Sequence, residues 1–197
     1  MKKLLGILVL GLLWCHTALA HDIQDFQIEG MSVGDSLLDY FSEEKIKNFH
    51  NYDNLPSDMK FRIAEYDSGD DFKMNTYDYM QVYYKPEDKK YIVFALNGGF
   101  DCADDNMCKK QHENITNDLK KSFNNADDAV TDTFKHSDDK SGKSLVKLWK
   151  LNLKNGYITV RYTNWSDAMK YTDNVDVEIL THEVYKWVKN NFGVGGN

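Results

Sequence analysis

The chain has 197 residues, and its 24 basic residues against 31 acidic ones give a formal net charge of −7. An acidic protein repels nucleic acid and anionic membranes, so the charge argues against both as partners. Charge of one sign also keeps copies of a protein apart, and we therefore expect a monomer.

The first twenty residues have the pattern of a secretory signal peptide. Lys2 and Lys3 precede an apolar run over residues 4–13, and Ala18-Leu19-Ala20 supplies the small residues of a cleavage site. We expect residues 1–20 to be removed, so that the mature protein is periplasmic or secreted. Two lysines and no acidic residue leave with this segment, which makes the mature net charge −9. No later segment is long and apolar, so the sequence predicts no membrane span.

Three cysteines occur, and Cys15 lies in the predicted signal peptide. The bulky Trp14 in front of it occupies a position where a lipid-anchor motif needs a small residue, so we expect release and not anchoring. Cys102 and Cys108 remain as an even pair, and in an oxidising compartment they are predicted to form a disulfide. The alternative is a thiol catalyst, because His112 follows Cys108 by about one helical turn.

The elements that follow predict a single α+β domain over residues 21–192 and a flexible tail at 193–197. Predicted strands cover residues 26–29, 60–66, 77–84, 90–96, 130–136, 145–153, 157–165 and 174–180. Predicted helices cover residues 35–49, 105–124 and a last short segment that opens at Thr181 or His182. Asn97-Gly98-Gly99 is predicted to end one hairpin, and Asn155-Gly156 is a strong turn signal for another.

The order of these elements repeats once along the chain. A helix followed by strands occurs in residues 26–99 and again in residues 100–192, which suggests two similar halves. Strands and helices do not alternate for long enough to build a parallel sheet. We therefore expect an antiparallel sheet with the helices packed on one face.

Three stretches, residues 26–41, 80–99 and 139–144, resemble an uncharacterised exported family of marine alphaproteobacteria of the Pelagibacter type. That resemblance covers most of the mature chain and brings no known function. In addition, Ile28-Glu29-Gly30-Met31-Ser32 followed by Leu37-Leu38 is similar to the start of outer-membrane-assembly lipoproteins and of β-lactamase-inhibitor-like domains. Those are small helix-plus-antiparallel-sheet modules that bind other proteins, so the similarity implies a binding module.

Aromatic residues are dense on two of the predicted hairpins. Tyr77, Tyr79 and Tyr83 would share one strand face, and Trp149 and Trp165 lie on the second hairpin. Such a set predicts a face that binds carbohydrate or protein. The alternative is that these rings fill the core and the half-buried sheet surface.

Two segments imitate catalytic or nucleotide-binding motifs without completing them. Residues 137–144 end like a phosphate-binding loop, but Ser137 replaces the first glycine and the segment lies between strands. His182-Glu183 lacks the second histidine of a zinc-protease helix, because Lys186 stands there. His21 would become the mature N-terminus, where its α-amine and ring together offer ligands for a copper ion. The alternative is that His21 has no role.

The acidic residues form groups without the spacing of a calcium loop. The first group is Asp67, Asp70 and Asp71, and the second is Asp101 with residues 104–106. Asp104 or Asp105 is more simply the acidic start of a helix. The sequence thus predicts neither a metal nor a cofactor, although calcium at these groups stays an alternative.

Taken together, these patterns predict a non-catalytic binding module for a protein or small-molecule ligand. The reason is that no nucleophile, metal set or acid–base pair occurs at a recognisable spacing. The alternative is a hydrolase that uses two of the many carboxylates. Two carboxylates in one concave pocket, one of them buried against aromatic rings, would favour the hydrolase.

Overall fold

The computed structural model describes residues 22–48, 59–67, 73–123 and 128–192. Within these ranges the strands are β1 (Gln27–Ile28), β2 (Met31–Ser32), β3 (Arg62–Asp67), β4 (Tyr79–Tyr84), β5 (Val93–Asp101), β6 (Val130–Lys135), β7 (Leu145–Leu153), β8 (Gly156–Asn164) and β9 (Asn174–Thr181). The helices are α1 (Glu43–Lys47), α2 (Asp105–Ser122) and α3 (His182–Phe192). The predicted signal peptide and the predicted tail lie outside the described residues, as does His21.

A seven-stranded sheet organises the molecule, with the strand order β3-β4-β5-β9-β8-β7-β6. Every pair of neighbours is antiparallel, which confirms the predicted α+β class with an antiparallel sheet. Strands β3 to β5 form one meander and strands β6 to β9 form a second. The two meanders join where β5 pairs with β9, so both predicted halves contribute to one sheet.

Alternation along the strands divides the side chains between two faces of the sheet. The first face supplies most of the main core, including Met80, Val82, Leu96, Trp149, Val160 and Val177, and Ile46 of α1 and Cys108 and Ile115 of α2 pack there. The second face carries a smaller cluster of Phe61, Ile63, Tyr83, Ala95 and Leu180 around Val184 of α3. The structure thus places α3 opposite α1 and α2, so the prediction that the helices share one face is wrong for α3. Leu180, two residues before the helix begins, projects to the second face and packs there with Val184.

Two elements differ from their predicted bounds. The predicted helix over residues 35–49 is a 3₁₀ turn at Leu37–Asp39 followed by the short α1, and the Ser42 hydroxyl begins α1 by accepting a bond from the Lys45 amide at 3.2 Å. Strand β5 continues through Gly98 and Gly99, where a hairpin end was predicted. Glycine at both positions allows the strand to continue beside two tyrosine rings. A Cβ at Gly98 would lie 2.7 Å from the Tyr77 ring, and one at Gly99 would overlap the Tyr79 ring.

The hairpin between β7 and β8 is present, but its turn is displaced by one residue. Leu153 pairs with Gly156, so the turn residues are Lys154 and Asn155 and not Asn155 and Gly156. Gly156 is the first residue of β8 and also pairs with Thr181 of β9. Position 156 therefore requires glycine, because the backbone of the neighbouring strand β9 lies too close to leave room for a side chain.

Helix α2 presents a histidine to the sheet. His112 is 3% exposed and lies on the same buried side of the helix as Cys108 and Ile115. Burial, and then the charge of Lys147, lower the pKa of His112 to about 4. The native protein therefore holds this ring neutral at pH values where the unfolded chain protonates it.

We expect His112 to make the protein sensitive to acid. The unfolded histidine binds a proton below its ordinary pKa of 6.5 and the native one only near 4, so stability falls as the pH drops through this window. The loss between pH 7.5 and pH 4.5 should be about 2 kcal/mol, since one pKa unit corresponds to about 1.4 kcal/mol. Urea unfolding at the two pH values measures it.

The variant His112→Leu should lose less stability over this interval than the unmodified protein. His182→Gln provides the control, because that ring lies on the exposed surface at the start of α3. An equal loss in the unmodified protein and in His112→Leu would show that other groups cause the acid sensitivity.

Candidate functional site

The centre of the second face carries charged side chains that are largely buried. Arg161 of β8 faces Asp176 of β9, and Thr159 faces Glu178. One guanidinium nitrogen, Arg161 Nη2, lies 3.0 Å from Glu178 Oε1 and 3.5 Å from Asp176 Oδ2. Thr159 donates to Glu178 Oε2 at 2.6 Å. We call this set, together with Asn97 and Tyr79, the polar network.

Burial and charge oppose each other in the polar network. The Asp176 side chain is 4% exposed, that of Glu178 14% and that of Arg161 20%. Burial disfavours the charge of Arg161, but the carboxylates of Glu178 and then Asp176 outweigh it and raise the pKa of the guanidinium. Burial and the neighbouring Asp176 also raise the pKa of Tyr79, whose hydroxyl donates to Asp176 Oδ1 at 2.7 Å.

Asn97 completes the polar network from β5. Its amide nitrogen donates to Asp176 Oδ1 at 3.1 Å and to Gln81 Oε1 at 3.3 Å. Its amide oxygen is buried and has no hydrogen-bond donor. Since a buried acceptor without a donor costs stability, this oxygen is the one group of Asn97 that the network does not satisfy.

One asparagine connects the polar network to the end of the sheet. Asn174 Nδ2 donates to Asp176 Oδ2 at 2.7 Å and to the Tyr79 hydroxyl at 2.8 Å. Asn174 Oδ1 accepts from Trp165 Nε1 at 3.0 Å. The ring of Trp165 also contacts those of His136 and Tyr171, with centroids 4.3 and 5.0 Å away. Its position is therefore held from three sides.

Beside Trp165 the surface forms an open cleft of about 550 Å³. Residues 102–104, 164–167 and 171–173 line it, together with Lys143. Tyr171 is 62% exposed there, among the most exposed large side chains of the described residues. A cleft of this size falls within the range of small-molecule sites.

Covalent and hydrogen bonds hold one wall of the cleft. Cys102 and Cys108 form the predicted disulfide, with Cα atoms 5.5 Å apart. The Cys102 amide donates to the Asp173 carbonyl at 2.8 Å, and the Asp173 carboxylate accepts from the Trp165 amide at 2.8 Å and from Asn164 at 2.9 Å. Both sulfurs are bonded in this state, so Cys108 is not available as the thiol nucleophile considered above.

A buried aspartate holds the other wall. Asp139 is 5% exposed and accepts bonds from the Ser144 hydroxyl at 2.7 Å, from the Ser141 amide at 2.8 Å and from the Ser166 hydroxyl at 2.8 Å. These bonds, those from Ser144 and Ser141 first, hold the pKa of Asp139 far below its ordinary range. The segment that imitates a phosphate loop is thus ordered by its own carboxylate between β6 and β7.

The five aromatic residues predicted as a binding face are not brought together. Trp149 is 1% exposed in the core on the first face, and Tyr77 packs against that core with its ring 4.7 Å from the Phe100 ring. Tyr83 lies on the second face under α3. Tyr79 and Trp165 alone are connected, through Asn174.

The acidic and histidine motifs take structural positions. Asp104 begins α2 by accepting a bond from the Met107 amide at 2.8 Å, and Glu183 pairs with Lys60 at 2.7 Å and with Lys85 at 2.9 Å. Over the described ranges, no three His, Cys, Asp or Glu residues converge to hold a metal ion. Asp70 and Asp71 lie outside those ranges.

Sequence reasoning missed Arg161, Asp176, Glu178 and Asn97. One signal was present, because Asp176 and Glu178 alternate with Val175, Val177 and Ile179 in a strand, and Arg161 is one of only two arginines in the chain. Charged residues at alternate strand positions indicate a polar face. The sequence did not show which residues would pair across the sheet, because that pairing depends on the strand order.

The fold and the site define an α+β protein with a seven-stranded antiparallel sheet and a cleft at one end of it. Comparison with known proteins adds no relative, since no family model, curated protein or solved structure matches the chain significantly. In the described part of the chain, none of the helices has both the length and the apolar character that crossing a membrane requires.

Proposed function

We propose that the chain is an exported, non-catalytic binding protein whose ligand lies in the cleft against Trp165 and Tyr171. The observation that carries this proposal is the pair of rings, whose centroids are 5.0 Å apart, with Tyr171 62% exposed at the cleft. Contact between a large exposed aromatic ring and water is unfavourable, and a ligand that covers the ring removes this contact.

The fixed walls of the cleft support a binding role. The disulfide orders residues 102–108, the Asp139 carboxylate ties Ser144 to Ser166, and the Asp173 carboxylate ties Trp165 to Asn164. A site that is ordered before binding loses less conformational entropy when the ligand arrives. An open cleft of this volume fits a small-molecule ligand.

The same contacts favour binding over hydrolysis. Two of the carboxylates at the cleft are engaged by their own chain, Asp104 at the start of α2 and Asp173 with Trp165 and Asn164. In the polar network, Asp176 is bonded to Arg161, Asn97, Tyr79 and Asn174. An acid catalyst needs a carboxyl group that can exchange a proton with substrate, and these groups serve the fold.

Export is supported by the disulfide. Cys102 and Cys108 are bonded, and such bonds persist mainly in oxidising compartments outside the cytoplasm. The signal-peptide pattern of residues 1–20 favours the same location, in the periplasm or the medium.

The variant Tyr171→Ala tests the proposed site. A library of defined sugars, amino acids and amines is screened against the mature protein by native mass spectrometry. We expect at least one compound to bind, and Tyr171→Ala to weaken it by about tenfold, as removal of a central aromatic contact does. The side chain is exposed, so the variant should fold normally.

Leu38→Ala is the matched control. Leu38 is 43% exposed in the 3₁₀ turn Leu37–Asp39 and is not among the residues that line the cleft, so its truncation removes exposed apolar surface without touching the site. Equal weakening by both variants, or a bound compound that neither variant affects, would refute the cleft as the binding site.

A further inference from the structure

We propose that the Cys102–Cys108 disulfide is redox-active, and that His112 favours its reduction by bonding to the Cys108 sulfur that reduction sets free. Redox activity goes beyond ligand binding and does not rest on the proposed function. Three observations support it: a buried ring with two unpartnered nitrogens, the unequal burial of the two cysteines, and the bonds that hold this wall of the cleft without the disulfide.

The buried ring of His112 has two polar atoms that nothing satisfies. His112 is 3% exposed, and neither Nδ1 nor Nε2 has a partner in hydrogen-bond geometry. Burial and then the charge of Lys147 keep the ring neutral, although the nearby Val160 carbonyl and Glu113 favour its protonated form. A neutral imidazole offers one N–H donor and one acceptor. Both are unsatisfied while the disulfide is intact, which destabilises the oxidised protein.

Cys108 lies one helical turn before this ring. Both residues belong to the buried side of α2, and side chains four positions apart on a helix lie one above the other. In the disulfide the Cys108 sulfur has no proton to donate. After reduction it is either a thiol, which donates to the acceptor nitrogen, or a thiolate, which accepts from the ring N–H. Because the reduced form gains this bond, the disulfide is more easily reduced.

The unequal burial of the two cysteines decides which sulfur is attacked. Cys102 is 6% exposed and lines the cleft, whereas Cys108 is fully buried. The thiolate of an external thiol therefore attacks the Cys102 sulfur, and Cys108 leaves with the electron pair of the broken bond. A second external thiolate attacks the external sulfur of this mixed disulfide and releases Cys102. Two external thiols are thereby oxidised to their disulfide, and their protons pass to the two cysteines.

Other bonds keep the two cysteines near each other after reduction. The Asp104 carboxylate still begins α2, and the Asp105 carboxylate accepts from the Tyr162 hydroxyl of β8. The Cys102 amide donates to the Asp173 carbonyl at 2.8 Å. These three bonds do not involve a cysteine sulfur, so the reduced pair remains positioned to close again, as a reversible redox site requires.

Equilibration with glutathione tests the redox activity. The mature protein is held in buffers of reduced and oxidised glutathione, free thiols are trapped by alkylation, and the reduced fraction is measured by mass spectrometry. Structural disulfides resist reduction by glutathione. We expect instead that at least half of the protein is reduced in a large excess of reduced glutathione. A bond that stays oxidised under these conditions overturns the proposal.

Three variants assign the effect to His112. His112→Leu removes both nitrogens and should shift the equilibrium toward the disulfide by about tenfold, the effect of losing one hydrogen-bond partner of a buried polar group. His112→Gln keeps a donor and an acceptor and should retain most of the reducibility. Thr116→Val is the matched control, because it removes a polar group from a buried position of α2 about two turns beyond Cys108.

The outcomes separate a redox role of His112 from a role in folding. Equal shifts in His112→Leu and Thr116→Val would show that the loss of any buried polar group has this effect, and would overturn the role of His112. Reduction of His112→Gln that is as unfavourable as that of His112→Leu would do the same. If His112→Leu does not fold, the unbranched and more adaptable His112→Met takes its place, with the same expected shift.

Discussion

Replacing Arg161 by leucine is expected to lower the free energy of unfolding by about 3 kcal/mol, since removal of one member of a buried ion pair leaves its partners uncompensated. Asp176 and Glu178 would lose the guanidinium that lies 3.5 and 3.0 Å from them. Both carboxylates have side chains less than one sixth exposed, so water cannot replace it fully. Chemical denaturation of Arg161→Leu measures the loss.

Two further variants show that the cost comes from unpaired charge. The combination of Arg161→Leu with Asp176→Asn and Glu178→Gln removes the charges together and should recover most of the lost stability. Arg161→Lys keeps the charge but not the planar guanidinium. Its free energy of unfolding should lie between those of Arg161→Leu and of the triple variant. If Arg161→Leu costs less than about 1 kcal/mol, the range of an exposed pair, the polar network is open to solvent and the description above is wrong.

The substitution Gly156→Ala should also destabilise the protein, by about 3 kcal/mol, the upper part of the range for an overpacked site. A Cβ at this position would overlap the backbone carbonyl of Leu180 and lie 2.9 Å from Ile23 Cδ1. The Leu180 carbonyl belongs to the backbone of the neighbouring strand β9. Neither this oxygen nor the new Cβ can therefore move away without disturbing the pairing of β8 with β9. Thermal and urea unfolding both report the loss.

Gly98→Ala provides a graded comparison. Its Cβ would meet the ring of Tyr77 at 2.7 Å and not backbone, and a side chain can shift where a strand cannot. We therefore expect a smaller loss, of about 1 kcal/mol. Equal effects of the two substitutions would contradict the view that Gly156 is required by strand approach.

Gly156 shows how a correct local signal can have a different cause. Asn-Gly between two alternating segments predicts a hairpin, and the hairpin between β7 and β8 is present. The glycine was assigned to the turn, whereas the structure uses it as the first residue of β8 beside Leu180. Residues 155 and 156 alone cannot distinguish these uses, because the strand that requires the glycine is formed by residues 174–181.

The candidate site was predictable only in part. The disulfide followed from two cysteines and the predicted compartment, and Trp165 was selected because aromatic residues are dense on its hairpin. Trp149 was selected by the same argument and lies in the core at 1% exposure. Trp149 lies on β7 and Trp165 directly follows β8, so two residues of one hairpin can look alike in sequence and have opposite surroundings, since the face that a helix covers is decided by packing.

The sequence by itself determined the elements whose signals are local. Strand patterns predicted six of the seven strands of the main sheet close to their observed bounds, apolar spacing predicted α2, and the even pair of cysteines predicted the disulfide. These features depend on residues within one segment or one loop, where steric preference and side-chain periodicity act directly.

Only the tertiary structure decided where β9 pairs, which face α3 covers and which charged groups meet. Insertion of β9 between β5 and β8 brings Asn97, Arg161 and Asp176 together, although up to 79 positions separate them in the chain. The same pairing places Asn174 between Trp165 and the polar network. Such contacts are non-local, and their energy depends on burial that exists only after the strands have assembled, so no short segment of the sequence encodes them.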